Sequence, residues 1–227
     1  QEKLKQELQK EHKSASLEQM AAVLLGRLLG VPIAVAKSGF QHGGDAGPAG
    51  QHGRHFRIEC KKYSSSKSLS DRELLGEMDH ALARDEALEA WILVATCSIP
   101  EQLAQDLIKK GEGIGVPVVI IDWKDHEIAP LAALCAFDPD AVSKEFSKEA
   151  GAYARAIQHV SVDAISMLQR DLQSWCLGFK SLRIRSHQVL DRIWNSPRES
   201  VARLGQNAAA GGLAKKVKRS AVNDALD

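Results

Sequence analysis

Three ionisable residues in the first third of the chain have the types and the spacing that chemistry on a phosphate group requires. Asp45 lies in the glycine-rich stretch 41–47, and Glu59 and Lys61 lie in the segment 55–63 that follows. Apolar and charged residues alternate in that segment, which predicts a β-strand with Glu59 and Lys61 on its charged face. The two side chains would be about 6–7 Å apart along the strand, and Asp45 would reach them across a hairpin. We therefore predict that these three residues form one site.

A divalent cation is the group that such residues would bind. Mg²⁺, or Mn²⁺ in its place, prefers carboxylate and carbonyl oxygens, which Asp45, Glu59 and the backbone carbonyl of Cys60 offer. The cation would neutralise charge on a phosphodiester and lower the pKa of a bound water. Lys61 would orient that water or stabilise the negative charge that develops during its attack. The residues thus predict metal-dependent hydrolysis of a phosphodiester.

The segment that holds this site is the basic part of a nearly neutral chain. The net charge of all 227 residues is +1, yet between residues 37 and 72 seven Lys and Arg oppose three Asp and Glu, an excess of four positive charges. A nucleic-acid backbone is attracted to such a surface, whereas the alternative is an ordinary solvated loop. The residues that we predict to contact DNA are Lys37, His42, Arg54, Lys62 and Lys67.

Composition places the chain among soluble globular proteins, because apolar and charged residues are both abundant and are mixed along its length. No run of about 18 apolar residues occurs, which predicts that nothing spans a membrane. The four cysteines are widely separated and form no CxxC pair, which favours a reducing, cytoplasmic location. Since the chain begins at Gln1 and has no signal-like segment, we expect a piece of a longer protein.

Hydrophobic periodicity predicts an α/β protein with a mixed sheet flanked by helices. A helix that begins at Ser16 carries Glu18 in its first turn, at the head of an otherwise apolar face. Such a carboxylate is either a site residue or a partner for the helix dipole. The predicted elements that follow are a strand at 31–36, a polar turn at 37–53, the strand at 55–63, a helix at 69–88, a strand at 90–96, a helix at 99–110 ended by glycines at 111–115, a strand at 116–122 and helices from 128 onward.

This order of elements, with Glu18, Asp45, Glu59 and Lys61, resembles the PD-(D/E)xK nuclease superfamily and looks most like its Mrr-type restriction endonuclease branch. The resemblance covers roughly residues 14–137. It departs from the family pattern at Gly44, where the family has Pro, and in the longer, His-rich turn before Glu59. It implies a restriction-endonuclease-like fold, these four residues as the catalytic set, Mg²⁺ as cofactor, double-stranded DNA as substrate and an assembly of two or four copies.

We divide the chain into an N-terminal helical extension at 1–13, a nuclease domain at 14–150 and a helical C-terminal extension at 151–227. The last part looks like the connector in antiviral STAND ATPases, in which an Mrr-like nuclease precedes an NTPase core. No GxxxxGK[ST] motif occurs in the chain, so an NTPase or sensor domain would lie downstream of it. The resemblance then implies the effector domain of an anti-phage defence protein. The basic residues after 180 are either DNA-binding or part of a solvated connector.

Several alternatives stay open at this point. The fold could be catalytically silent and serve as a module for DNA binding or oligomerisation, or the substrate could be RNA. A zinc site could use His42, His52, His55 and Cys60, although their spacing matches no common zinc motif. The glycine-rich loop at 43–47 could hold a nucleotide phosphate, but it precedes a strand and lacks the helix N-terminus on which such loops depend.

Overall fold

The computed structural model describes residues 1–10, 15–36, 45–49, 55–63, 70–85, 88–124 and 127–178. The chain divides into two compact units, Gln1–Leu177 and Gly178–Asp227, and the description below concerns the first. The domain boundary that we predicted near residue 150 falls inside a helix of this unit, Lys148–Ile157. None of the helices within the described ranges combines the length and the apolar character that crossing a membrane demands. All four cysteines are free thiols.

A five-stranded mixed sheet forms the centre of the unit. Its strands stand side by side in chain order and are β1 (Ile33–Val35), β2 (Ala46–Pro48), β3 (Phe56–Lys61), β4 (Ala90–Ala95) and β5 (Val118–Ile121). Strand β2 is antiparallel to both of its neighbours, β1 and β3, whereas β3, β4 and β5 are parallel. Parallel neighbours need crossover connections, and helices supply them here. The predicted α/β class with a mixed sheet flanked by helices is confirmed.

Helices cover both faces of this sheet. In chain order they are α1 (Glu2–Gln9), α2 (Ala15–Leu29), α3 (Asp71–Arg84), α4 (Glu101–Ile114), α5 (Pro130–Phe137), α6 (Pro139–Glu145), α7 (Lys148–Ile157) and α8 (Val162–Gln173). Helix α3 joins β3 to β4 and α4 joins β4 to β5, so these two helices are the crossovers of the parallel half. A π-helical turn, Ser174–Gly178, follows α8.

Strand β4 separates two apolar cores. Its six residues are all buried, as the continuous apolar run in the sequence predicted for a strand covered on both faces. Ile92 and Val94 belong to the larger core, which α2, α5 and the later helices complete. Trp91 and Leu93 belong to the smaller core, which they share with residues of α3 and α4. The face of the sheet that carries α3 is the one on which the charged residues of β3 meet their partners.

The predicted polar turn at 37–53 is wrong in one part, because it contains strand β2. Three antiparallel strands therefore precede α3 where we predicted two. Ala46, Gly47 and Pro48 have little strand preference, so their pairing depends on the neighbouring strands. A Cβ atom on Gly47 would lie 2.8 Å from a guanidinium nitrogen of Arg57, which shows that glycine leaves room for the Arg57 side chain over β2.

One helical prediction also needs correction. Helix α4 does not end at Gly111 but continues to Ile114, and Gly115 then ends it in the left-handed conformation with φ 74°. Gly111 is required inside the helix because a side chain there would collide with the carbonyl oxygen of Val116 as the chain turns back. The helices predicted from residue 128 onward are present in the described residues as α5 to α8, and short breaks separate α6, α7 and α8.

Candidate functional site

Asp45 is fixed at the entrance to β2 by its own backbone and side chain. Its N–H donates to the carbonyl of Ile58 at 2.8 Å, and its carbonyl accepts from Ala36 at 2.7 Å. Its carboxylate oxygen Oδ2 accepts from the N–H of Cys60 at 2.7 Å, which continues the pairing of β2 and β3 by means of a side chain. The N–H and C=O of a strand residue point to the same side of the strand. The Cys60 carbonyl therefore points toward the Asp45 side of β3.

Glu59 and Lys61 lie together on the face of β3 that α3 covers. Glu59 is 4% exposed, and its Oε1 atom is 2.8 Å from Lys61 Nζ. The backbone after Lys61 is held as firmly as Asp45. Thr96 N–H donates to the Lys61 carbonyl at 3.1 Å, and the Thr96 hydroxyl accepts from Tyr63 N–H and donates to the Tyr63 carbonyl. The period-two prediction that Glu59 and Lys61 share a face agrees with this arrangement.

The charges of the site act strongly on one another because they are withdrawn from water. Burial raises the pKa of Glu59 to about 7, and the nearby Asp45 charge adds to the effect, while Lys61 opposes it. Burial also raises the pKa of Asp45, although the Cys60 N–H and Lys61 favour its charged form. For Lys61 burial alone would lower the pKa, but Glu59, Glu73 and Glu77 outweigh it and raise the pKa. Acidic groups are thus in excess around one ammonium.

Two of these acidic groups, Glu73 and Glu77, come from α3 and were missed by the sequence analysis. Their carboxylates lie 3.1 and 3.5 Å from Lys61 Nζ. The charge of Glu77 also raises the pKa of both Asp45 and Glu59. The available signal was weak: the two residues are one helical turn apart and border the buried stripe of Leu74 and Met78. Acidic pairs with this spacing are common on solvated helix faces, so the pattern alone did not distinguish them.

Glu18 lies near this cluster but at its margin. It is half-buried at the start of α2, where burial and the charge of Asp45 raise its pKa. Its charge also helps to raise the pKa of the Cys60 thiol, after burial and the charges of Asp45 and Glu59. Within the described part of the chain, no hydrogen bond or ion pair joins Glu18 to Glu59 or Lys61. The structure therefore brings three of the four predicted catalytic residues together and leaves Glu18 beside them.

Most of the residues that we predicted to contact DNA lie outside the described residues, namely Lys37, His42, Arg54 and Lys67. Lys62 is described, and its ammonium lies 5.9 Å from the centre of the Phe146 ring, so its side chain points away from the face of Lys61. His42 and His52 of the alternative zinc site are also outside the described ranges. His55 pairs with Asp85 at 3.2 Å, at the opposite end of β3 from Cys60.

The donor set suits a hard divalent cation that keeps part of its water. Among the described residues, no group of three or more His, Cys, Asp and Glu side chains is arranged to hold a metal ion. Asp45 and Glu59 supply two carboxylates, and the Cys60 carbonyl points to the same side. Mg²⁺ commonly binds through one or two carboxylates and several waters. A cation would also favour the ionised form of Glu59, whose pKa is raised first by burial and then by the charge of Asp45. The residues present therefore fit such an ion.

Comparison of this chain with models of protein families, with curated proteins and with solved structures found no match.

Proposed function

We propose that this chain is a Mg²⁺-dependent endonuclease that hydrolyses phosphodiester bonds in DNA. The observation that carries the proposal is the convergence of Asp45, Glu59 and Lys61 at one end of the sheet. Two buried carboxylates with raised pKa values face one ammonium there. Such a concentration of like charge is costly for folding and is typical of functional sites. A restriction-endonuclease-like fold is part of the same proposal, and the order of α2, the mixed sheet and α3 supports it.

In this proposal Asp45, Glu59 and the Cys60 carbonyl would hold the cation. The cation would supply charge neutralisation at the phosphate and a water of lowered pKa. Lys61 then binds a non-bridging phosphate oxygen or orients the attacking water, so that the new P–O bond forms as the bond to the leaving oxygen breaks. Three hydrogen bonds hold Asp45 in place for this role. A 5′-phosphate on the product is what the family resemblance implies.

The wider biological assignment rests on the resemblance alone. An anti-phage effector with a downstream NTPase or sensor domain was inferred from residues 151–227, most of which are outside the described residues. Assembly into a dimer or tetramer and a cytoplasmic location belong to the same proposal.

Plasmid cleavage tests the nuclease activity directly. Supercoiled DNA is incubated with the wild-type chain in Mg²⁺, in Mn²⁺ and in EDTA, beside Lys61→Ala and Asp45→Ala. Lys110→Ala is a matched control, because Lys110 also pairs with an acidic residue of α3, Asp79, at 2.6 Å but lies outside the site. We expect metal-dependent nicking or linearisation by the wild type and the control, and none by the two site variants.

Two results would count against the proposal. Cleavage that survives both Asp45→Ala and Lys61→Ala would place the activity elsewhere. A chain that binds DNA equally well with and without these substitutions, and cuts in no metal, would be the silent module considered above. A parallel reaction with single-stranded and duplex RNA decides whether DNA is the substrate class.

A further inference from the structure

The ammonium of Lys61 has as many acceptors as it has donors. A lysine ammonium carries three N–H groups. Three carboxylates lie within 3.5 Å of Nζ, at 2.8 Å for Glu59, 3.1 Å for Glu73 and 3.5 Å for Glu77. A phosphate oxygen that approaches Lys61 must therefore replace one of these partners. It must also come close to the carboxylate that it replaces, which repels it.

The two carboxylates from α3 differ in how firmly they are placed. Glu77 is 27% exposed and lies next to Met78, whose side chain is fully buried in the smaller core. The Glu77 carboxylate lies 3.5 Å from Lys61 Nζ, and its charge also raises the pKa of Asp45 and of Glu59. The Glu77 side chain is thus the less exposed of the two and stands beside a residue that packing fixes.

Glu73 is half-exposed and stands in the first turn of the helix. An ion pair with such exposure contributes only about 0–1 kcal/mol, so its loss costs little. The Glu73 side chain also has an alternative position, at the start of its own helix. Ser70 caps α3 by accepting from the N–H of Glu73 at 3.3 Å. In a capping box the Glu at this position reaches back to the cap residue's own N–H, and the positive end of the helix dipole favours it there.

We propose that α3 supplies two carboxylates with different roles toward Lys61: Glu77 is a positioning residue that keeps the ammonium beside Glu59, and Glu73 is the partner that the substrate phosphate displaces. The inference rests on the proposed function, because it assigns Lys61 a phosphate to bind. The proposal also explains why Glu73, a half-exposed acidic residue, lies at a site that would bind negatively charged DNA. While no substrate is bound, Glu73 occupies the place that the phosphate takes.

The test is a matched set of substitutions on one helix: Glu73→Gln, Glu77→Gln and, as control, Asp79→Asn, which removes an exposed carboxylate that pairs with Lys110 instead of Lys61. Removing the competing charge should lower KM for duplex DNA about three- to tenfold in Glu73→Gln. Loss of lysine positioning should lower kcat about 10- to 100-fold in Glu77→Gln with KM nearly unchanged. Asp79→Asn should change neither constant. Equal effects of the two glutamine variants, or a fall in kcat confined to Glu73→Gln, would overturn the assignment.

A second readout needs neither metal nor DNA. The rate at which acetic anhydride modifies Lys61 is followed by mass spectrometry in the folded wild type and in the three variants. Glu77→Gln should raise that rate well above the modest rise in Glu73→Gln, because it frees the ammonium from its fixed partner. A larger rise in Glu73→Gln would refute the proposal even if the chain cleaves DNA. If the chain neither binds nor cleaves DNA, the proposed function fails, and the acetylation rates still decide which carboxylate positions Lys61.

Discussion

Two buried aspartates at the ends of strands, Asp122 and Asp45, show how differently a carboxylate can be accommodated. Asp122 follows β5 and is 2% exposed, and each of its oxygens accepts a backbone N–H, from Ile99 at 2.7 Å and from Lys124 at 3.0 Å. Asp45 precedes β2 and is also buried, at 6% exposed, but it has one backbone donor, Cys60. Besides the favourable charge of Lys61, the charges of Glu77 and Glu59 act on it. Burial is common to both residues, and only the balance of donors and charges separates them.

This contrast teaches that a buried acid marks a candidate site only when its surroundings disfavour its charge. Asp122 closes the turn after β5 and connects it to the start of α4. Backbone N–H groups of the fold therefore satisfy both of its carboxylate oxygens. Asp45 and Glu59 carry more negative charge than one lysine neutralises. The first arrangement should matter for folding, and the second should matter for binding a cation and for catalysis. The same isosteric change at both positions can separate these roles.

The largest effect is expected from Asp45→Asn on DNA cleavage. The amide oxygen can still accept the Cys60 N–H, so the fold is kept, but a charged ligand for the cation is lost. We expect the cleavage rate to fall by roughly 1,000-fold, the equivalent of several kcal/mol of lost charge stabilisation. Single-turnover cleavage and a thermal melt of the same preparation measure the two quantities. A variant that unfolds, or one that cuts DNA at the wild-type rate, would remove the distinction between Asp45 and Asp122.

The next effect concerns stability against pH and follows from Glu59. Its pKa is about 7 in the folded chain against 4.5 for the free side chain. Between these values the folded state holds a proton that the unfolded state has released, so stability falls as pH rises from about 4.5 to about 7. The difference corresponds to roughly 3 kcal/mol for Glu59 alone. Urea unfolding in EDTA at pH 5 and at pH 8 measures it.

Two controls sharpen the pH prediction. Glu59→Gln should flatten the dependence over this range. Mg²⁺ should stabilise the wild type more at pH 8 than at pH 5, because the cation binds the ionised carboxylates. Stability that rises between pH 5 and pH 7 in EDTA would show that the Glu59 carboxylate is not held as the structure places it.

For Asp122, the comparison predicts that the substitution Asp122→Asn lowers the stability of the fold. Asparagine has one acceptor oxygen where Asp122 uses two, so its amide N–H₂ must face a backbone N–H. A buried donor left without an acceptor costs about 1–3 kcal/mol, and we expect a loss of about 2 kcal/mol in the free energy of unfolding. Denaturant unfolding at pH 8 measures it. If Asp122→Asn were as stable as the wild type but could not cut DNA, the roles of the two aspartates would have to be exchanged.

The sequence correctly predicted those parts of the molecule in which the local residue pattern is compatible with only one kind of secondary structure. Period-two alternation placed Glu59 and Lys61 on one face, and a continuous apolar run placed β4 between two cores. It failed where structure depends on partners distant in the chain. Strand β2 forms because β1 and β3 pair with it and because Gly47 leaves room for Arg57, neither of which a local pattern contains.

The same reason explains what was missed in the site. Glu73 and Glu77 approach Lys61 only because α3 crosses back over β3, and the packing of Leu74 and Met78 fixes that approach. A helical pair of acids four residues apart is only a weak sign of this in the sequence. The catalytic role that the family resemblance implies for Glu18 stays a prediction, and the structure shows that the charge of Asp45 acts on this residue.

The smallest effect tests whether other buried polar groups near Lys61 lack hydrogen-bond partners. The Tyr63 hydroxyl is buried, and no described residue forms a hydrogen bond with it. Burial and the charge of Glu73 raise its pKa to about 12. Since a buried hydroxyl without a partner is unfavourable, Tyr63→Phe should raise the free energy of unfolding by about 1 kcal/mol. Urea unfolding beside Tyr153→Phe, a change on α7 far along the chain, measures the difference. A clear loss of stability in Tyr63→Phe would mean that the hydroxyl is bonded, and that this end of the sheet is as well compensated as the surroundings of Asp122.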